Sequence, residues 1–239
     1  MPEPQPLSKS TPAVAAMFNG IAPRYDALNH LLSLGIDRIW RWRLVRRLAA
    51  FSPSRVLDVA TGTADLAIAL ARRVPSVSVE GIDIASAMLQ IGEQKVQHAG
   101  LEQRVVLNQA SALSIPFADN QFDAAMVAFG VRNFEDLERG LAEMVRTVRP
   151  GGHVMVLEFS MPRRWPIRPL YRFYFKHILP VVGGWVSGSR AAYDYLPNSV
   201  SQFPQDEEFI GIMERVGLTQ CAYTSLSLGV ATLYQAQKA

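Results

Sequence analysis

The sequence predicts an α/β fold: a mostly parallel sheet covered on both faces by helices and closed by an antiparallel C-terminal hairpin. Three observations carry this. Short apolar runs alternate with helix-forming stretches from Arg55 to Phe159. The first of these runs opens through Ala60-Thr-Gly-Thr-Ala64, a turn of small residues, straight into a helix. Two strand-like runs then follow each other at the end of the chain with only Ser227-Leu-Gly229 between them. The 239 residues are 49% hydrophobic, ample for one sizeable core, and no repeat or second core is visible.

Met1 to Thr11 contains three prolines and little that can pack, so residues 1–12 read as a disordered tail and 13–239 as one domain. Val14 to Phe18 predicts a short helix, and Ile21 to His30 an aromatic and polar segment. Asp37 to Phe51 predicts a longer helix with Asp37 as its cap; residues 13–51 together would form a helical cap on the domain. In that helix Trp40, Leu44 and Leu48 share one side, and Arg38, Arg43, Arg46 and Arg47 take the other. Arg41 breaks the pattern by falling among the apolar residues.

The alternation proper begins with a strand over Arg55–Ala60 and a helix over Ala64–Val74. Val77–Ile84 is the second strand, and Ser86–Ala99 a helix capped by Ser86 and stopped by Gly100. Strands over Arg104–Gln109 and Phe122–Phe129 follow, then a helix over Phe134–Val148 that Arg149-Pro-Gly-Gly152 breaks. His153–Phe159 is the fifth strand. Residues 162–203 read as a lid-like insertion whose first part, to Gly188, is basic and aromatic. A helix from about Gln205 to Val216 and strands over 218–225 and 230–237 complete the chain.

The net charge is only +3, but arginines crowd the helix after Asp37 and the segment around Arg168, Arg172 and Lys176. Such patches suit a nucleic acid or an anionic membrane surface. One cysteine, Cys221, rules out an internal disulfide and fits a reducing, cytoplasmic setting. No run of roughly 20 apolar residues spans a bilayer, and no secretory signal is evident. The four histidines have no metal-ligand spacing, so no metal is expected. A homodimer is compatible with the sequence, which does not specify one.

In a doubly wound sheet, ligands bind beyond the carboxyl ends of the strands. Asp58, Asp83, Ser111, Phe129 and Glu158 all lie there. Asp83 comes twenty residues after Thr63, the place for a carboxylate that accepts both hydroxyls of an adenosine ribose. NAD and S-adenosylmethionine both need that carboxylate. The turn favours the latter, because a pyrophosphate wants three glycines for close backbone approach and only Gly62 is present. A nicotinamide oxidoreductase is also opposed by the closing hairpin. A non-catalytic, RNA-binding module is opposed by Asp83, Arg132, Asn133 and Glu158 occurring together.

Further blocks occur in order over nearly the whole chain: Phe18 with Tyr25-Asp26 and Asn29, Leu57-Asp-Val-Ala-Thr-Gly-Thr63, Phe129-Gly-Val-Arg-Asn133, Pro150-Gly-Gly152, Leu157-Glu-Phe-Ser160 and Tyr193-Asp-Tyr-Leu196. With these the sequence resembles the ubiquinone/menaquinone biosynthesis C-methyltransferases. The resemblance implies the class I methyltransferase fold with its seven-stranded sheet, S-adenosyl-L-methionine as cofactor and a polyprenylated quinol as substrate. It implies that Thr63 and Asp83 meet the methionine and ribose parts of the cofactor, with Gly62 and Asp58 in the same turn. Ser111, Ala112 and Ala128 would meet adenine. The chain departs from the family at Ala128, where serine is found, and at Ala64, where glycine is usual; alanine there is tolerable if its φ is negative. Demethylmenaquinol is the leading acceptor and 2-polyprenyl-6-methoxy-1,4-benzoquinol the second.

Ring methylation requires a phenolate to push charge onto the carbon, a cation to stabilise it and an acceptor for the proton. Arg132 is the expected cation, with Asn133 orienting a water or hydroxyl. The proton would go to that water, to Asp26 or to Glu158. Tyr25, Asn29, Tyr193 and Tyr195 are expected around the ring. A basic stripe of Arg168, Arg172 and Lys176, with aromatics beside it, suits peripheral contact with the inner face of a membrane and no nucleic acid.

Overall fold

The structure, a computed structural model, describes residues 9–163, 165–174 and 190–239. Two helices, α1 (Thr11–Leu32) and α2 (Ile36–Ala49), precede the sheet. Strands and helices then alternate as β1 (Arg55–Val59), α3 (Asp65–Arg73), β2 (Ser78–Asp83), α4 (Ser86–His98) and β3 (Val105–Gln109). β4 (Phe122–Ala128), a 3-10 turn (Val131–Asn133), α5 (Leu137–Thr147) and β5 (Val148–Phe159) follow. The described chain ends with α6 (Ile167–Phe173), α7 (Arg190–Gln202), α8 (Glu207–Arg215), β6 (Leu218–Leu226) and β7 (Ala231–Lys238).

The seven strands lie in the order β3-β2-β1-β4-β5-β7-β6. The first five are parallel, and β7 runs antiparallel to both β5 and β6, so the predicted hairpin is there. The sheet is buried on both faces because alternate residues feed two cores. Val56 joins Leu44, Leu48 and Leu70 on one side, while Leu57 and Val59 join Leu141, Met144 and Phe209 on the other. Strand order reverses between β1 and β4, the place where such sheets open a crevice at the strand tips.

Four local expectations need correction. The N-terminal segment is not a short helix and a loop but one continuous helix of 22 residues, with Pro23 inside it. Proline removes one helical hydrogen bond, and packing outweighs that: Ile21 and Ala22 bury themselves against Ala85 and Met88 of the α4 region and Val200 of α7. Asp37 does not cap α2, which starts from Gly35 in a left-handed conformation; its carboxylate instead accepts from Ser33 Oγ at 2.6 Å. Ser86 does not cap α4 either, since Ala85 holds that position and its N–H donates to Asp83. Finally, β5 begins ahead of the expected break: Val148 pairs with Phe122, and the ladder shifts before resuming at His153. Gly152 makes the shift possible, because a Cβ there would sit 2.6 Å from the Asp123 carbonyl oxygen.

Lys176, His177 and the greater part of the expected lid between α6 and α7 lie outside the described residues, as does the side chain of Tyr193. Among the described residues no helix is long and apolar enough to cross a membrane.

Candidate active site

Two adjoining cavities open at the strand tips. The first lies over the β1 turn and is lined by Gly62, Asp83, Ser111, Ala112, Ala128 and Asn133, with Phe18 and Tyr25 from α1. The second is lined by Arg132, Asn29, Arg41, Asp37 and Tyr195, again with Phe18 and Tyr25. Phe129 belongs to both walls. Asp83 and Arg132 therefore line adjoining spaces at the strand tips, with Phe18, Tyr25 and Phe129 in both walls.

The first cavity is built mainly from backbone. Asp83 receives the Gly62 N–H on one carboxylate oxygen and the Ala85 N–H on the other, each at 2.8 Å. Burial raises its pKa and these two N–H groups lower it, so the net shift is upward. A carboxylate oxygen accepts more than one hydrogen bond, and Asp83 lines the cavity, which suits a ribose diol. Around it the side chains are small: Ala60, Ala110, Ala112 and Ala128 leave room for a purine nucleoside.

The turn itself is more strained than its sequence suggests. Ala60, Gly62 and Ala64 have φ of 53°, 57° and 63°, so three alternate residues are left-handed and only one is glycine. The negative φ that would have made Ala64 harmless is not found, and each alanine there costs roughly 1–2 kcal/mol. Phe129, with φ of 60°, is a bulkier outlier at the boundary of the two cavities.

Asp58 and Thr63 lie beneath this turn, not on the cavity wall. Asp58 accepts from Thr61 Oγ at 2.7 Å, and burial, partly opposed by that bond, pushes its pKa up to about 7. Its expected place among the cofactor contacts is therefore corrected to a support of the turn. Thr63 Oγ donates to Asp26 at 2.7 Å, and Lys95 Nζ reaches Asp26 at 2.9 Å and also pairs with Asp65. This cluster ties α1 across the turn to α4. Asp26 is thereby engaged with Thr63 and Lys95 and is not among the residues lining either cavity.

The second cavity is built from side chains. Arg132 is 7% exposed and Glu158 fully buried; Arg132 Nη1 donates to Glu158 Oε1 at 2.8 Å and to the Phe129 carbonyl. Glu158 also accepts the N–H groups of Arg132 and Phe159, so it is held in place and orients the guanidinium. Arg132 Nε is buried without a hydrogen-bond partner among the described residues. A buried donor left unpaired costs about 1–3 kcal/mol, so this one points to a ligand. Tyr195 donates to the Asn133 side-chain oxygen at 3.1 Å, and Asn29 bonds the Tyr25 hydroxyl.

Sequence reasoning missed the whole contribution of α1 to the first cavity, Thr11 and Val14 included. The signal was present: Val14, Phe18, Ile21, Ala22 and Tyr25 recur at helical spacing, but Gly20 and Pro23 masked it. It also missed Arg41 and Asp37 as wall residues. Cys221 sits on β6, where burial pushes its thiol up to about 11, so it is a poor nucleophile at neutral pH.

The model of the ubiE/COQ5 methyltransferase family matches residues 7–238. The chain belongs to that family. A demethylmenaquinone methyltransferase of Porphyromonas gingivalis is 49% identical over 226 residues, covering 94% of this chain and 92% of its own. The ubiquinone/menaquinone biosynthesis C-methyltransferase UbiE of Geotalea daltonii is 45% identical over 233 residues, covering 97% and 99%. Among solved structures, the [4+2]-cyclase SpnF superposes with a TM-score of 0.73 at 17% identity, covering 98% of both chains. A putative S-adenosyl-L-methionine-dependent methyltransferase of Methanococcus maripaludis gives 0.64 at 18%, covering 91% of both. At that identity the likeness shows the fold alone, the seven-stranded class I methyltransferase fold. With the family match, the ubiE/COQ5 member described here is an S-adenosylmethionine-dependent methyltransferase. The first cavity fits that cofactor: Asp83 would hold its ribose, Ser111, Ala112 and Ala128 its adenine, and the Gly62 turn its methionine end.

Proposed function

We propose that this enzyme methylates a ring carbon of demethylmenaquinol to give menaquinol, with 2-polyprenyl-6-methoxy-1,4-benzoquinol as the alternative acceptor. The carrying observation is the buried, unpaired Nε of Arg132 in an aromatic cavity that adjoins the cofactor cavity. Relatives named demethylmenaquinone methyltransferase, at 43–49% identity, support demethylmenaquinol, and those named ubiquinone/menaquinone biosynthesis C-methyltransferase, at 43–46%, keep the benzoquinol as the alternative.

Bound S-adenosylmethionine supplies an electrophilic methyl group on a sulfonium. The protein has to activate the ring. Loss of a proton from a quinol hydroxyl places negative charge on the neighbouring ring carbon, and Arg132 offers that oxygen a fixed positive charge. Glu158 and the Phe129 carbonyl hold the guanidinium in advance, so no reorganisation is needed when charge develops. Arginine is no base, with a pKa above about 12. Glu158 is bound to Arg132 and Phe159 and Asp26 to Thr63 and Lys95, which favours passing the proton to a water held between Arg132 and Asn133. The methylated carbon then releases its own hydrogen as a proton and the oxygen takes one back from water, which restores the aromatic diol with one proton released overall.

These acceptors carry a polyprenyl tail that stays in the bilayer. α6 and its approach expose Trp165, Leu170 and Phe173 beside the exposed Arg168 and Arg172, a composition suited to anionic lipid. We infer peripheral contact there, on the inner face of the membrane. Neutralising Arg168, Arg172 and Lys176 should abolish co-sedimentation with anionic liposomes.

The function is tested by incubating the enzyme with labelled S-adenosylmethionine and both reduced acceptors, then weighing the quinones. Label in the naphthoquinol is expected. Label in the benzoquinol alone would make the alternative correct, and label in neither would remove the proposed function.

A further inference from the structure

Arg41 is the residue that breaks the apolar side of α2, and its surroundings explain why. Its side chain is 12% exposed and paired with the buried Asp37, yet it lines the acceptor cavity. The Arg41 guanidinium lies 5.5 Å from the centre of the Phe129 ring, and that of Arg132 lies 5.3 Å from the centre of the Phe159 ring. The two rings adjoin, with centroids 4.5 Å apart and planes tilted by 30°. The cavity wall is thus a pair of aromatic rings, each with its own arginine.

Resting on the quinol reading above, we propose that Arg41 is a second acceptor-binding cation: it holds one oxygen of the 1,4-diol while Arg132 holds the other. A quinol has two oxygens at opposite ends of one ring, and a single guanidinium meets only one of them. Among the described residues both ion pairs of Arg41, to Asp37 and at 4.0 Å to Asp65, run through Nη1, so Nε and Nη2 carry no ion pair.

Asp37 keeps Arg41 in place. Although burial works against its charge, Ser33, Arg41 and His30 lower its pKa below the usual carboxylate range, so the pair stays ionic. His30 Nδ1 lies 3.0 Å from its Oδ2. Burial raises the Tyr25 hydroxyl in the same cavity on balance, and Arg132, the Asn29 hydrogen bond and then Arg41 work against that rise. Other charged groups near Arg41 are Asp65 at the head of α3, Asp58 on β1, Arg132 across the paired rings, and Arg38, Arg46, Arg72 and Arg73 on its outer side.

The test compares wild type with R41Q, R41K and the double variant D37N/R41Q. R41Q should lower kcat/KM for the quinol by about 100-fold, the usual result of removing one charge-stabilising donor. It should also move the ionisation that governs kcat to higher pH, so that part of the loss returns in alkali. R41K keeps the charge but loses the planar fork over the Phe129 ring, so it should recover part of the R41Q loss without reaching wild type. A purely structural Arg41 would act by neutralising Asp37, so D37N/R41Q would recover the wild-type rate and profile; the proposal expects it to remain as slow as R41Q. An independent readout is binding of ionised 2-hydroxy-1,4-naphthoquinone to the enzyme loaded with S-adenosylhomocysteine, followed by tryptophan quenching. R41Q should weaken it by about tenfold or more, the worth of one hydrogen bond to a charged group. Unchanged probe affinity, or recovery in the double variant, would overturn the proposal. A wild type that methylates neither quinol would instead defeat the assigned function, and the probe would still report on Arg41.

Discussion

The two cavities are made differently. The cofactor cavity comes from backbone at consecutive strand tips: the 60–64 turn, Asp83 with its two N–H donors, and the small residues at 110–112 and 128. The acceptor cavity comes from side chains that meet only in three dimensions: Asn29 from α1, Arg41 from α2, Arg132 from the turn after β4 and Tyr195 from α7. Backbone geometry tolerates change of side chain as long as the left-handed φ values survive. A side-chain cavity loses its chemistry with a single substitution.

That contrast can be broken most severely at Arg132. Arg132→Gln should lower turnover by 100-fold or more, about the effect of deleting a preorganised charge donor. Because Arg132 does not line the cofactor cavity, affinity for S-adenosylhomocysteine should stay within a few-fold, as calorimetry would show. Comparable losses in both would mean the cavities are not separable. The variant also strands the buried Glu158, at a cost of about 3–5 kcal/mol, so a thermal melt must accompany the assay.

Asp83→Ala should do the converse. Removing hydrogen bonds to a charged group, worth about 1.5–3 kcal/mol, should raise the dissociation constant of the cofactor about 10- to 100-fold. kcat at saturating cofactor should be nearly preserved. A collapse of kcat instead would show that the ribose contact also sets the reacting geometry.

A smaller effect sharpens the picture beneath the turn. Asp58 titrates near 7 in the fold and near 3.9 unfolded, so the native state binds the extra proton between those values. Its contribution is therefore fully present below about pH 4 and lost as pH rises through about 7. Asp83 is shifted in the same direction. Chemical denaturation of Asp58→Asn should show a shallower decline of stability from pH 4 to 7 than wild type; an identical slope would place the shift elsewhere.

The smallest effect is expected at Ala64. Glycine would relieve roughly 1–2 kcal/mol of left-handed strain but lose about 0.8 kcal/mol of buried methyl and up to about 1 kcal/mol of chain entropy. Ala64→Gly should therefore stay within about 1 kcal/mol of wild type, whereas the β-branched Ala64→Val should be clearly destabilised. A large change for glycine would mean the turn is held by more than its φ values.

The strand–turn–helix alternation, the closing hairpin and Asp83 were legible in the sequence because each is local: apolar periodicity, small residues and a fixed spacing along one unit. Arg132 and Asn133 were legible through the resemblance. What tertiary structure decided lies where distant contacts overrule local rules. Burial of Ile21 and Ala22 carries α1 through Pro23, so that helix covers the cofactor cavity. Asp26 and Thr63, 37 residues apart, bond to each other. Glu158 is consumed by Arg132, and Arg41 falls on a wall that no helical wheel reveals. The physical reason is the same throughout: periodicity reports which side of an element is buried, while a buried charge is placed by its partners, and those come from elsewhere in the chain.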